Sequence, residues 1–117
     1  MSGAAGFIGS HLSDRLIAEG HQVVGYDNFM TGDARNLEHL KSNPAFEFKK
    51  WDVCQPFEPS GPVDGVLHLA SLASPKDYFD HPIETLDVGS AGTRNMLEIA
   101  RQHKARFMIT STSECYG

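Results

Sequence analysis

Several common features are scarce in this sequence, and each shortage closes off a class of protein. No stretch approaches the roughly eighteen consecutive apolar residues that a membrane-spanning helix needs, so no membrane partner is expected. Cysteine is limited to Cys54 and Cys115, too few for a disulfide framework or a cysteine-rich metal cluster. The expectation is therefore reduced thiols, a cytoplasmic setting and no metal site. Positive charge is short as well. Ten Lys and Arg stand against fifteen Asp and Glu, a net charge of −5, which argues against nucleic acid as the main partner. Repeats, linkers and low-complexity tracts are missing. His11, His21, His39, His81 and His103 show no ligand spacing, and His68 reads as a structural residue of a buried strand.

What is present is a single α/β unit spanning residues 1–117. The chain opens "MSGAAGFIG", in which Gly3, Gly6 and Gly9 form a G-x-x-G-x-x-G run. Ile8, Leu12 and Leu16 then recur at four-residue spacing, one apolar face of a helix that Gly20 ends. "HQVVGYD" reads as a buried strand ending at Asp27. "GDARNLEHLKSN" reads as a weak amphipathic helix with Leu37 and Leu40 inward, and "AFEFKKWD" as a strand alternating Phe46 and Phe48 with polar residues. "VDGVLHLAS" and "ARFMITSTS" are further apolar strands. Between them a helix of about five turns is expected from Pro82 to near Gln102, with Ile83, Leu86, Leu97 and Ala100 toward the sheet. Gly89, Ala91 and Gly92 narrow its middle, which predicts a close neighbour there, since interior glycines cost about 1 kcal/mol each.

Alternating strands and helices predict a Rossmann-type, doubly wound parallel sheet in the order 3-2-1-4-5. Only Met1 and Ser2 precede the glycine loop, so the central first strand is expected to be missing, and with it a shared neighbour for the strands on either side.

A glycine loop that opens a helix predicts a phosphate site. Gly3 permits a tight turn, Gly6 lets a pyrophosphate approach the backbone, and Gly9 lets the helix pack closely. The helix N-terminus adds unpaired N–H donors and positive potential. Asp27 ends the next strand eighteen residues past Gly9, close to the spacing of about 20 for an acidic residue that binds an adenosine ribose. Its carboxylate would repel a 2′-phosphate, which favours NAD over NADP. The alternative is an aspartate that merely caps its loop.

The segments "GAAGFIGSHL", "YDNFMTG", "HLASLASP", "GTRNMLEIAR" and "STSECYG" together resemble the extended short-chain dehydrogenase/reductase family of NAD-dependent nucleotide-sugar epimerases, dehydratases and decarboxylases. "NLEHL", "ASP", "NMLEIAR" and "STSE" are most similar to the decarboxylases that act on UDP-glucuronate. The resemblance covers essentially the whole chain and implies further roles. Phe7 and Ile8 would lie along the cofactor phosphates, with Asn28 and Phe29 beside the adenosine. Asp52 and Val53 would receive adenine, although Asp52 could instead cap a turn. Leu69, Ala70 and Ser71 would run under the nicotinamide ribose, and Ser74 and Pro75 would face the sugar. Thr112, Ser113 and Glu114 match the trio at the top of the fifth family strand. There Thr112 would orient the reacting 4-hydroxyl and Glu114 would place the ring, while Ser113 could equally cap the strand end.

The same resemblance implies a nucleotide-sugar substrate and a homodimer. It also implies that Met1 is an internal residue, and that a catalytic Tyr-x-x-x-Lys pair and a substrate domain lie beyond Gly117. Where most relatives carry Asn in an N-x-x-G-T helix motif, this chain has Gly89. A dehydratase or epimerase of the same family, or a non-catalytic NAD-binding regulatory module, are the competing expectations.

Overall fold

The computed structural model describes all 117 residues. Helix α1 (Phe7–Ala18) follows the glycine loop and leads to strand β1 (Val23–Asp27), a 3₁₀ helix (Ala34–Leu40) and β2 (Phe46–Lys50). Then come β3 (Gly65–His68), α2 (Pro75–Asp80), α3 (Pro82–Asp87), one π turn (Val88–Gly92), α4 (Thr93–His103) and β4 (Arg106–Ile109). A short 3₁₀ turn (Ser113–Tyr116) closes the chain.

β1 pairs in parallel with β2, from Val23 opposite Phe46 to Asp27 opposite Lys50. β3 pairs in parallel with β4, from Gly65 opposite Arg106 to His68 opposite Ile109. No strand precedes the glycine loop, as the sequence predicts, yet the two pairs are not left without a common neighbour. Ser2 bridges Tyr26 on one side and His68 on the other, both in parallel. Tyr26 N–H donates to the Met1 carbonyl (2.8 Å) and Ser2 N–H to the Leu67 carbonyl (2.9 Å). Two residues thus stand where a whole central strand would, and the order β2-β1-(Met1, Ser2)-β3-β4 is that of a doubly wound sheet.

Successive strand residues face opposite sides, and two apolar clusters form accordingly. Val24 and Tyr26 face Val53, Val66, Met96, Ile99 and Ala100, so α4 covers that side. Phe46 and Phe48, beside Val23 and Gly25, face Ala5, Leu37, Leu40 and Ile17 on the side of α1.

Four sequence expectations change in the folded chain. Ile8 does not join Leu12 and Leu16 inward; it is 61% exposed. α1 instead presses on the loop through its small residues Gly9, Ser10 and Ser13, all buried. A side chain at Gly9 would put its Cβ 2.0 Å from the Gly3 carbonyl oxygen, so large residues must turn away. The segment carrying Leu37 and Leu40 is 3₁₀ rather than α, with both leucines buried as expected and Asp33 accepting the Arg35 N–H at its start. The long helix from Pro82 is broken into α3, the π turn and α4; Ile83 and Leu86 are exposed because α3 packs against α2 and the π turn, Leu97 on α4 is exposed too, and of the four residues expected inward only Ala100 is buried. Of its glycines only Gly92 has the close neighbour, Val53 Cγ2 at 3.2 Å from a Cβ there, while Gly89 faces open space. In β4, at the edge of its pair, Met108 and Ile109 are exposed.

Helix α2 was not expected at all. Ser74 caps it by accepting the Asp77 N–H, with Pro75 at its first position. That Ser-Pro-x-Asp pattern is a helix start in its own right.

Candidate functional site

A cleft runs across the C-terminal ends of the strands, where an open α/β sheet binds its ligands. It brings together Gly3, Gly6, Asp27, Asn28, Asp52 and Val53, and on the far side of the glycine loop Leu69, Ala70 and Ser71. All nine were singled out by sequence. Phe7, Ile8, Gly9 and Phe29 are not among the lining residues, Phe7 and Ile8 being exposed at the start of α1, and neither are Thr112, Ser113 and Glu114, which are exposed near the chain end.

At the centre, α1 begins at Gly6 with no side-chain cap and no acidic residue in its first turn. Its leading N–H groups therefore have no partner within the helix, and no carboxylate in that first turn repels an anion. A Cβ on Gly6 would meet only the Gly3 carbonyl oxygen, at 3.3 Å, so bare backbone faces the cleft. Gly3 is held more tightly. Its φ is +69°, a left-handed conformation that favours glycine, and a Cβ would lie 2.8 Å from the Ala70 nitrogen.

One end of the cleft is built around Asp27, which is 9% exposed. Oδ2 accepts the Ala5 N–H (2.9 Å) and Oδ1 the Phe29 N–H (2.8 Å). One backbone donor per oxygen leaves acceptor capacity on each for a ribose diol, so the loop-capping and ribose-binding readings describe the same carboxylate. Gly32 completes the pocket, since a Cβ there would lie 2.9 Å from Oδ1. The sequence reading passed over Gly32, because only a fold shows which glycine touches a carboxylate. Phe29 takes φ +64° to turn the chain, and its ring packs on Phe48 at 5.2 Å. Asp52 Oδ1 accepts the Cys54 N–H (2.9 Å), the turn-capping role open to it, and its Oδ2 faces the Asn28 amide (3.5 Å). Val53 is buried, its carbonyl accepting the Asn95 amide (2.8 Å), so α4 braces this end.

Trp51, Met30, Thr31 and Leu72 also line the cleft. Met30 and Thr31 fall within "YDNFMTG" and Leu72 within "HLASLASP", but none of the four carries a role that its residue type alone would reveal.

The nearest arginine, Arg35, is committed elsewhere. Its Nε donates to Asp33 Oδ2 (2.9 Å), and this pairing holds the Asp33 carboxyl down to about 2. Burial first and neighbouring Asp52 second push the Cys54 thiol up to about 11, away from the thiolate form. Thr112 Oγ1 accepts the Glu114 N–H (3.3 Å) and so caps the terminal turn.

The sequence pattern of the GDP-mannose 4,6 dehydratase family matches residues 1–117. The chain belongs to this family. UDP-glucuronic acid decarboxylase 1 of Arabidopsis thaliana is 49% identical over 117 residues, all of this chain and 26% of that protein. The chain therefore spans about a quarter of that relative's length. Among solved structures, a UDP-glucose 4-epimerase from Stenotrophomonas maltophila with bound NAD and formylated UDP-arabinopyranose is 27% identical, with a TM-score of 0.84 over 99% of this chain and 37% of that one. The Bordetella bronchiseptica enzyme WbmH in complex with NAD⁺ is 28% identical, with a TM-score of 0.80 over 99% of this chain and 39% of that one. The family's parallel α/β core is the fold seen here.

Proposed function

We propose that this chain is the NAD-binding part of a nucleotide-sugar enzyme that decarboxylates UDP-glucuronate to UDP-xylose. The observation that carries the cofactor half is the pairing of Asp27 with the Ala5 N–H beside an uncapped, acid-free helix start. Those residues fit a dinucleotide. Asp27 holds the ribose diol, the free N–H groups at the start of α1 hold the pyrophosphate, and Asp52 with Val53 borders the adenine. Leu69–Ser71 receives the second nucleoside. The Asp27 charge, with Arg35 engaged by Asp33, favours NAD over NADP.

NAD bound there supplies the hydride acceptor and donor for oxidation at sugar C4 and its reversal. Oxidation at C4 turns the C5 carboxylate into a β-keto acid, which loses CO₂ readily because the electrons left behind delocalise into the ketone. This chain's contribution to that step is orientation, with Thr112 at the 4-hydroxyl and Glu114 at the ring. The identity with the decarboxylase, over the whole chain, supports the substrate half. Assembly as a cytoplasmic homodimer belongs to the same proposal.

A second reading, a nucleotide-sugar 4,6-dehydratase, is favoured by the description of the matching family. The two separate in one assay. The full-length polypeptide that carries this chain is offered UDP-glucuronate, UDP-glucose and dTDP-glucose in turn, and CO₂ and sugar products are followed. CO₂ and UDP-xylose from UDP-glucuronate, without net consumption of NAD, are expected. A 4-keto-6-deoxy product from dTDP-glucose, with UDP-glucuronate ignored, overturns the decarboxylase.

A further inference from the structure

His68 is buried at the end of β3, and the cofactor site gives it no task. Its ring lies between two hydroxyls, with Nδ1 2.6 Å from Ser2 Oγ and Nε2 3.1 Å from Thr93 Oγ1. Ser2, itself fully buried, also takes the N–H groups of Leu69 (3.2 Å) and Ala70 (3.3 Å) on the same Oγ. A hydroxyl has one proton to donate and two lone pairs to accept with. Backbone N–H groups only donate, so the Ala70 amide, with the Leu69 amide that Oγ shares with the Ser2 carbonyl (3.3 Å), takes up the acceptor side of this hydroxyl. The Ser2 proton must then go to Nδ1. A neutral imidazole consequently carries its proton on Nε2 and donates it to Thr93, and every proton of the chain Ser2–His68–Thr93 has one direction. A charged imidazole would present a third donor to Ser2 Oγ. Burial lowers the His68 pKa from its usual 6.5, in the same sense.

The loop so held lies opposite Asp27 across the glycine loop. A dinucleotide with its ribose on Asp27 and its pyrophosphate at the start of α1 must send its second nucleoside over Leu69–Ser71. Gly3 leaves no slack between them, because a Cβ there would touch both the Leu69 carbonyl carbon and the Ala70 nitrogen at 2.8 Å.

We propose that His68 is a positioning residue: by holding the Ser2 hydroxyl in one rotamer, it presets the Leu69–Ser71 backbone for the second nucleoside of the cofactor. This rests on the reading of the cleft as an NAD site. Without the imidazole, the Ser2 hydroxyl turns its proton freely, including toward the loop amides it should accept from, and the loop loses its fixed height.

The test compares NAD with ADP, which shares the adenosine and the pyrophosphate but lacks the second nucleoside, on the full-length polypeptide. His68→Leu and Ser2→Ala are expected to weaken NAD by about tenfold, the worth of one such hydrogen bond at the upper end, and to leave ADP binding within about twofold. Equal losses for both ligands, or unchanged NAD affinity, overturn the proposal, since a merely structural defect does not distinguish the two halves. A second measurement needs no variant. Nitrogen-15 spectra of labelled histidine in the unmutated protein are expected to show His68 in the Nε2–H form. An Nδ1–H form overturns the hydrogen-bond chain. If the unmutated protein binds neither ligand, the NAD reading itself falls and this proposal with it, whereas NAD binding with unselective variants sinks the proposal alone.

Discussion

The Ala5 N–H donates to Asp27 Oδ2 across 2.9 Å, and both residues are buried. The glycine loop and the end of β1 thus hold each other, and a carboxylate that lines the cleft also ties down the peptide just before α1. Asp27→Ala is accordingly expected to act twice. NAD affinity falls and the preference over NADP narrows, because the diol loses its acceptor and the phosphate its repulsion. Stability also drops by about 1–3 kcal/mol, the cost of stranding buried donors. Titration with both cofactors and a denaturant melt check the two effects separately. NADP bound more tightly than NAD by the unmutated protein would show that Asp27 has another role.

The three glycines of the loop separate in the same way. Gly9→Ala places a Cβ 2.0 Å from the Gly3 carbonyl oxygen, with backbone on both sides, and is expected to prevent stable folding. Gly6→Ala meets one oxygen at 3.3 Å, which a small shift relieves, and should fold. Its methyl group stands where the pyrophosphate approaches, so the loss appears in NAD affinity. Melting temperatures and cofactor titrations of the two variants side by side decide this. Similar melting points for both would refute the packing argument.

In a polypeptide beginning at Met1, the terminal amine donates to the Val24 carbonyl (2.7 Å), and desolvation lowers its pKa from 8.0 to about 6. The unfolded chain then binds more protons than the folded one between about pH 6 and 8. Stability should rise with pH across that window, by about 2–3 kcal/mol in all. Below it the full cost of burying the charge is present; above it the amine is neutral in both states. N-terminal acetylation keeps the N–H donor and removes the charge, so the acetylated chain should show a much flatter profile. Lowered burial-driven protonation of His68 works in the same direction and leaves a smaller residual slope. Denaturant melts from pH 5.5 to 8.5 measure both, and equal slopes with and without the acetyl group would contradict the assignment.

Tyr26 is 5% exposed, and its hydroxyl has no hydrogen-bond partner. The ring packs on Phe57 at 4.6 Å, contact that phenylalanine retains. Tyr26→Phe is therefore expected to raise stability by about 1 kcal/mol, since an unpaired buried hydroxyl costs at least that much. A clear loss in the melt would reveal a partner for this oxygen.

Much of this molecule was legible from local chemistry. The glycine run, the acidic residue at the end of the following strand, and the alternation of strands with helices are short-range patterns. Their meaning depends on periodicity and spacing, which a chain carries wherever it folds. Asp27 could be named in advance from its spacing after the glycine run, and Asn28, Asp52, Val53 and Leu69–Ser71 from the family resemblance; all lie near the C-terminal ends of strands, which converge in this topology. Other features depend on which surfaces meet. The outward turn of Ile8 comes from a carbonyl 2.0 Å from where a Gly9 side chain would begin. The exposure of Ile83 and Leu86 comes from a π turn that takes α3 off the sheet. Gly32 against the Asp27 carboxylate, and the two-residue seam at Met1 and Ser2, are contacts between segments distant in sequence. The Ser2–His68–Thr93 chain joins residues 66 and 25 positions apart. Nothing in the identity of a serine, a histidine and a threonine predicts that their polar atoms will share one buried line. Local propensity and pattern determined the fold class and the cofactor motif, while long-range packing, in which each buried group must find its partner across the sheet, decided which side chains hold the site in place.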